Sequence, residues 1–280
     1  MRVVVTGASG FIGGALVPLL RERGHDVATP ARAALGDPAA LLAGTGALVH
    51  LAALAHARGA DEAQLRRTNV DLPLALGRAA AKAGARMIFL STVKVLGEEG
   101  RFDEGSLPAP GDAYARAKSE AETVLRGTEG LSLTVLRPPL VYGPGVKANF
   151  LALLRAVARG WPLPFAALDN RRSLLSAGNL ADAVARCLEA GRSSEGTWLL
   201  SDGEPLSTPA LCRAIGAALG RPARLFPCPQ SLLELAPAAR KLTRSLVADD
   251  RAFRRALRWT PPQSPQQGLR LTAEWYRARG

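Results

Sequence analysis

Thr6-Gly7-Ala8-Ser9-Gly10-Phe11-Ile12-Gly13 decides how this sequence folds. Its glycines are spaced GxxGxxG, the apolar run Arg2–Thr6 precedes them, and a helix-length stretch, Gly13–Arg23, follows. Glycine is needed at such a junction because the backbone must turn tightly and come close to a pyrophosphate. The amino end of the next helix supplies unpaired N–H groups and the positive end of its dipole. An ordinary glycine-rich turn lacks the strand before and the helix after. That context makes Gly7, Ser9, Gly10, Phe11, Ile12 and Gly13 a candidate dinucleotide cradle.

Outward from this loop, short apolar runs alternate with helix-length Ala/Leu/Arg segments. Strands are predicted at Arg2–Thr6, Asp26–Thr29, Ala47–Leu51, Met87–Ser91 and Ser132–Arg137, with helices near Gly13–Arg23, Asp61–Ala83 and Ala113–Arg126. Repeated βα units of this kind form a parallel sheet covered on both faces, a Rossmann-type doubly wound α/β fold. From Gly143 the texture changes. Gly and Pro punctuate the chain, and helices around Phe150–Arg159, Ala181–Glu189 and Pro209–Leu219 are interrupted by turns. The proline-rich piece Thr260–Pro265 reads as a rigid connector before a last helix. The expected organisation is a dinucleotide-binding domain over 1–143 with parts of 173–200, and a small α/β, mostly substrate-binding region over 144–280.

The chain has 280 residues and is 48% hydrophobic, enough to bury a large core. No apolar run reaches the roughly eighteen residues of a membrane span, and Met1-Arg2 leads at once into a strand candidate rather than a leader. The expectation is a soluble, unexported, cytoplasmic protein. Cys187, Cys212 and Cys228 are odd in number and lack ligand spacing, which supports neither a disulfide framework nor a metal site. They read as reduced packing residues. The net charge of +12 comes from arginines scattered along helices, without a dense basic block or interleaved aromatics. A nucleic-acid surface is therefore not expected.

About twenty residues after the glycines, a carboxylate would take the adenosine ribose of NAD and a cation the extra phosphate of NADP. The sequence offers Val27-Ala28-Thr29-Pro30-Ala31-Arg32 and no acid. Arg32 tilts the choice toward NADP; an exposed loop arginine is the plain alternative. Farther on, Tyr114 and Lys118 stand four apart and share one face of a helix. A free tyrosine titrates at about 10, so a nearby ammonium and a positive nicotinamide would favour its phenolate at working pH. Upstream, Met87–Leu90 ends in Ser91-Thr92, hydroxyl groups at the sheet edge where α/β proteins bind ligands.

Together, Thr6–Gly13, Leu51-Ala52-Ala53, Ser91-Thr92, Tyr114/Lys118 and Leu136-Arg137-Pro138-Pro139-Leu140-Val141-Tyr142-Gly143-Pro144-Gly145 resemble the extended short-chain dehydrogenases, the nucleotide-sugar epimerase/dehydratase group. The likeness runs nearly end to end; Leu257-Arg258-Trp259-Thr260-Pro261 resembles the group's closing segment, with Arg258 where glycine is usual. The resemblance implies Thr92, Tyr114 and Lys118 as the catalytic trio. It also implies that Asp37 meets the adenine, that Leu51, Ala52, Ala53 and Pro138 line the dinucleotide path, and that Asn69 steadies the active-site backbone. Lys94, in Lys-Val-Leu-Gly-Glu, resembles a bacterial subgroup acting on nucleotide- or lipid-linked sugars, and is expected to face the sugar or to be a solvated loop lysine. Arg172, interchangeable at this stage with Arg171, and Asn149 fall on diphosphate contacts; a planar guanidinium suits paired phosphate oxygens.

A dehydratase of this group carries an Asp-Glu pair after the catalytic threonine, but Val93-Lys94 follow Thr92 here. The remaining readings are a 4-epimerase of a sugar diphosphate, ranked first, and an NADPH-dependent 4-keto-sugar reductase. A non-catalytic dinucleotide-binding subunit is a third. The resemblance also implies a homodimer built through the Tyr114 helix.

Overall fold

The computed structural model describes residues 1–55 and 61–279. Among the described residues, ten strands appear in chain order: β1 Arg2–Thr6, β2 Asp26–Ala28, β3 Ala47–His50, β4 Arg86–Leu90, β5 Gly100–Phe102, β6 Leu133–Arg137, β7 Leu140–Tyr142, β8 Leu174–Ser176, β9 Gly196–Leu199 and β10 Leu246–Ala248. Six of them form one parallel sheet in the order β2-β1-β3-β4-β6-β9. The chain adds β2 on one side of β1 and β3 on the other. That reversal opens a crevice at the carboxyl ends of β1 and β3, where doubly wound sheets bind ligands.

The apolar strands are buried on both faces, which is why their sequences run continuously rather than alternate. Val3, Val5, Val49, Ile88 and Leu136 pack with α1 (Phe11–Glu22) on one face. Val4, Leu48, Met87, Phe89 and Val135 turn to the other. There they meet α2 (Pro38–Leu42), α4 (Leu72–Ala83) and α5 (Ala113–Arg126), while α3 (Glu62–Arg66) precedes α4 in the chain. A further cluster joins Phe150, Leu154 and Val157 of α6 (Ala148–Ala158) to Leu211 and Ile215 of α8 (Thr208–Leu219). Between them in sequence, α7 (Ala177–Ala190) packs along α1. The carboxyl part holds α9 (Gln230–Leu233), α10 (Pro237–Thr243), α11 (Arg251–Leu257) and α12 (Pro265–Arg277).

The structure differs from, or adds to, the sequence reading in four places. The sheet gains β9, four residues opening on Gly196, too short to stand out as an apolar run. Residues Asp61–Ala83, expected as one helix, widen into a π-type turn at Arg67–Asp71, just before Pro73, whose missing N–H cannot close a regular helical bond. Two parallel strand pairs were not expected: β7 with β8, and β5 with β10, whose members lie far apart in sequence. The segment after Arg32 is ordered, as a tight turn Arg32–Gly36 followed by α2. The proline-rich connector does lead into a last helix, and Ser264 and Gln267 cap it reciprocally. Cys187 and Cys212 are buried, with burial pushing both thiols up to about 12, while Cys228 is partly exposed; all three are free. No helix among the described residues is long and apolar enough to cross a membrane.

Candidate active site

The glycine loop sits at the crevice between β1 and β3. Gly7 has φ +72°, and a Cβ there would lie 2.7 Å from the Ala52 backbone nitrogen. The loop after β3, carrying Leu51 and Ala52, is thus pressed against the loop after β1, and the Leu51 N–H donates to the Thr6 carbonyl at 3.1 Å. Gly13 lets α1 start tight on its own loop, since a Cβ would fall 2.2 Å from the Ala8 carbonyl. Gly10 caps α1 without a side chain, so the helix presents bare N–H groups at the crevice. Close backbone approach and an uncapped helix end fit a dinucleotide pyrophosphate. Arg32 is exposed on the turn after β2, and Asp37 spends a carboxylate oxygen capping α2 through the Ala40 N–H at 3.1 Å. Ala53 is exposed at the loop's outer end.

Asn69 is fully buried in the widened turn. Its side-chain oxygen accepts from the Leu54 N–H at 2.8 Å, and its amide donates to the Leu54 carbonyl at 3.1 Å. A loop backbone that has no strand partner is thereby satisfied by one side chain. Pro138 is buried where β6 ends, and its carbonyl accepts the Val93 N–H at 2.9 Å, tying that corner to the turn after β4.

The two hydroxyls at the end of β4 part company. Ser91 is buried and donates to Glu122 at 2.5 Å. Thr92 is only partly buried and begins the tight turn Val93–Val95, its oxygen accepting the Lys94 N–H at 3.3 Å. Among the described residues no acceptor takes its hydroxyl proton, whereas that of Ser91 is spent on Glu122.

Tyr114 lies in the first turn of α5, beside a cavity of about 430 Å³ also lined by Leu54, Leu65, Asp112 and Arg116. Lys118 is buried one turn on. Its ammonium donates to the Leu90 carbonyl at 2.7 Å and lies 4.2 Å from the Phe89 ring centre. Burial pulls this ammonium down to about 7, against the opposing charge of Glu122. In the protein by itself, burial, then the charge of Asp112, push the Tyr114 phenol up to about 12. The protein's own groups therefore keep Tyr114 protonated at neutral pH.

Of the two candidate arginines, Arg171 is exposed, whereas the half-buried Arg172 donates to the Arg244 carbonyl at 2.8 Å. Burial lowers the Arg172 guanidinium, and the charge of Glu98 opposes that shift. Asn149 is exposed at the start of α6 and makes no side-chain hydrogen bond among the described residues. Lys94 meets two carboxylates, Glu98 at 3.4 Å and Asp112 more closely.

Two features escaped the sequence reading. Glu122, one turn beyond Lys118, forms a bidentate pair with buried Arg137 at 3.0 and 2.6 Å and holds Ser91. The available signal was an acid at i+4 from Lys118 on an otherwise apolar helix face. Tyr142, conspicuous in the sequence, is a buried strut whose hydroxyl donates to Asp202 at 2.8 Å.

A family model for the NAD dependent epimerase/dehydratase family matches residues 3–199. The chain belongs to that family. Within it, the chain is similar to UDP-glucose 4-epimerase of Vibrio cholerae, 33% identical over 309 residues, which span 97% of this chain and 94% of the relative. It is also similar to dTDP-4-dehydrorhamnose reductase of Mycobacterium tuberculosis, 30% identical over 68% of this chain and 66% of that protein. A solved structure of MoeE5 in complex with UDP-glucuronic acid and NAD has a TM-score of 0.81 at 26% identity, covering 100% of both chains. This epimerase/dehydratase chain is thus an enzyme of the extended short-chain dehydrogenase type.

Proposed function

We propose that this enzyme is an NAD(P)-dependent 4-epimerase of a diphosphate-linked sugar. The observation that carries the reading is Tyr114 on a cavity at the amino end of α5, with the turn that Thr92 begins packed against that helix, in a chain similar along nearly its whole length to a UDP-glucose 4-epimerase.

Gly7, Gly10, Gly13 and the bare amino end of α1 would hold the dinucleotide pyrophosphate, with Ala52 alongside. The bound nicotinamide supplies hydride exchange, and its positive oxidised form favours the tyrosine phenolate. Tyr114 exchanges a proton with the sugar 4-oxygen while Thr92 hydrogen-bonds that oxygen. Lys118, anchored on the Leu90 carbonyl, would supply a positive charge one helical turn from Tyr114. Arg172 binds the substrate diphosphate and Asn149 adds a second contact; the region after Gly143 carries most of the substrate. Dehydration is not supported, because the position after Thr92 is Val93, buried and apolar.

The second reading, a 4-keto-sugar reductase, draws on exposed Arg32 and on the similarity to a dTDP-4-dehydrorhamnose reductase. Incubation with UDP-sugars without added cofactor separates the two. The epimerase interconverts C4 epimers and copurifies with NAD. Absence of interconversion together with NADPH-dependent reduction of a 4-keto sugar assigns the reductase instead.

A further inference from the structure

The turn that carries Thr92 and the amino cap of the helix that carries Tyr114 come from separate parts of the chain, and three contacts join them. The Ala109 N–H donates to the Val95 carbonyl at 2.9 Å. Glu98 lies over Gly111, where a Cβ would meet its Cγ at 3.1 Å. Between these, the Lys94 ammonium pairs with the Asp112 carboxylate. Asp112 has a second task. Its other oxygen accepts the Ala115 N–H at 2.8 Å and so caps α5, two residues before Tyr114.

A carboxylate fixed two residues from a phenol opposes the loss of the phenol's proton, because the two negative charges repel. The cation clasped to that carboxylate cancels most of the field. We propose that Lys94 is a positioning residue that fastens the Thr92 turn to the cap of the tyrosine helix and neutralises Asp112 beside the Tyr114 phenol. This assignment rests on Tyr114 being the proton-exchanging group of the proposed reaction. It gives Lys94 a role through Asp112 rather than on the sugar.

Other charges face the same space. Glu98 accompanies Lys94 on the turn, and the charge of Lys241 of α10 also acts on Asp112. Arg116 of α5 and Glu62 of α3 line the Tyr114 cavity, and Lys118 is buried one turn further along α5. Among these, Lys94 makes the ion pair with Asp112. Burial raises the Asp112 carboxyl, but the Lys94 bond, the Ala115 N–H and the neighbouring ammonium charges outweigh it and hold the group low. Asp112 therefore stays ionised at neutral pH, with its counterion needed.

The test is the titration of Tyr114 itself, which needs no substrate. The protein holds three tyrosines, and Tyr142 is pushed far up by burial and Asp202. Carbon-13 labelling of the tyrosine rings, with Tyr114→Phe for assignment, follows the phenol by NMR from roughly pH 9 to 13, over the range in which circular dichroism shows the fold intact. Lys94→Met should raise the Tyr114 midpoint by about half a unit or more. Asp112→Asn, which still caps the helix, should lower it below wild type, and the double variant should fall between Lys94→Met and Asp112→Asn. Lys94→Arg should stay with wild type. In turnover, Lys94→Met should lower kcat at neutral pH about tenfold with KM for the sugar substrate within about twofold. A Tyr114 midpoint unmoved by Lys94→Met overturns the proposal, whatever the sugars do. A titration in the expected order with no sugar turned over leaves the clasp standing and removes the epimerase reading instead.

Discussion

Two ion-pair clusters bracket α5, and they differ in almost everything except charge. At the amino cap, Lys94 and Asp112 are 29% and 38% exposed, with Glu98 more open still. Farther along, Glu122 and Arg137 are 1% and 4% exposed, and the carboxylate also receives Ser91. Exposed pairs gain little stability because water screens them and their side chains lose freedom. In a buried pair each charge has given up its hydration, so each depends on the other. On the proposed reading, the first cluster tunes the Tyr114 phenol, and the second holds the scaffold.

The largest effect should come from breaking the buried cluster. Glu122→Ala leaves Arg137 buried without a counter-charge and Ser91 without its acceptor, at a cost of about 3–5 kcal/mol in denaturant unfolding. A loss under about 1 kcal/mol would place Glu122 with the exposed pair and dissolve the contrast. Next comes the group between the clusters. Tyr114→Phe keeps both intact, so it should leave the melting temperature unchanged while reducing turnover at least about 100-fold. Retained turnover would remove the phenol from the chemistry.

A third effect concerns protons. His50 ends β3 fully buried, its Nδ1 paired with the Thr6 hydroxyl at 2.8 Å, and Nε2 has no partner among the described residues. Burial, with the Lys118 charge, lowers it to about 3. Below pH 6.5 the unfolded chain takes a proton that the folded chain refuses, so stability falls as pH falls from 6.5 toward about 3. Between pH 6.5 and 5 the loss should reach about 2 kcal/mol. His50→Gln should flatten most of that slope in chemical denaturation, and His25, also held low chiefly by burial, leaves a remainder of the same sign. The smallest effect belongs to the exposed pair. Lys94→Met should cost under about 1 kcal/mol of stability, so any larger fall in kcat reports on Tyr114 and not on folding.

Local chemistry made much of this legible. The glycine spacing, the apolar strands and the Tyr114/Lys118 interval place the sheet, the crevice and the helix face, because tight turns, burial and helical periodicity act over a few residues. Strand β1 matches its expected range, and β2, β3, β4 and β6 agree to within about a residue. What the local pattern left open was which hydroxyl and which arginine face a ligand. Ser91 and Thr92 are chemically alike, and only the position of Glu122, 31 residues from Ser91, withdraws one of them. Arg171 and Arg172 separate in the same way, through Arg244 and Glu98.

The sequence alone determined a doubly wound α/β enzyme fold with a glycine cradle and a tyrosine one helical turn from a lysine. Tertiary structure alone decided the pairing of β5 with β10, the buried Glu122–Arg137 pair, and the clasp of Lys94 on Asp112. Turns and periodicities are written in neighbouring residues, whereas ion pairs and short strand ladders join residues whose proximity exists only once the chain has closed around them.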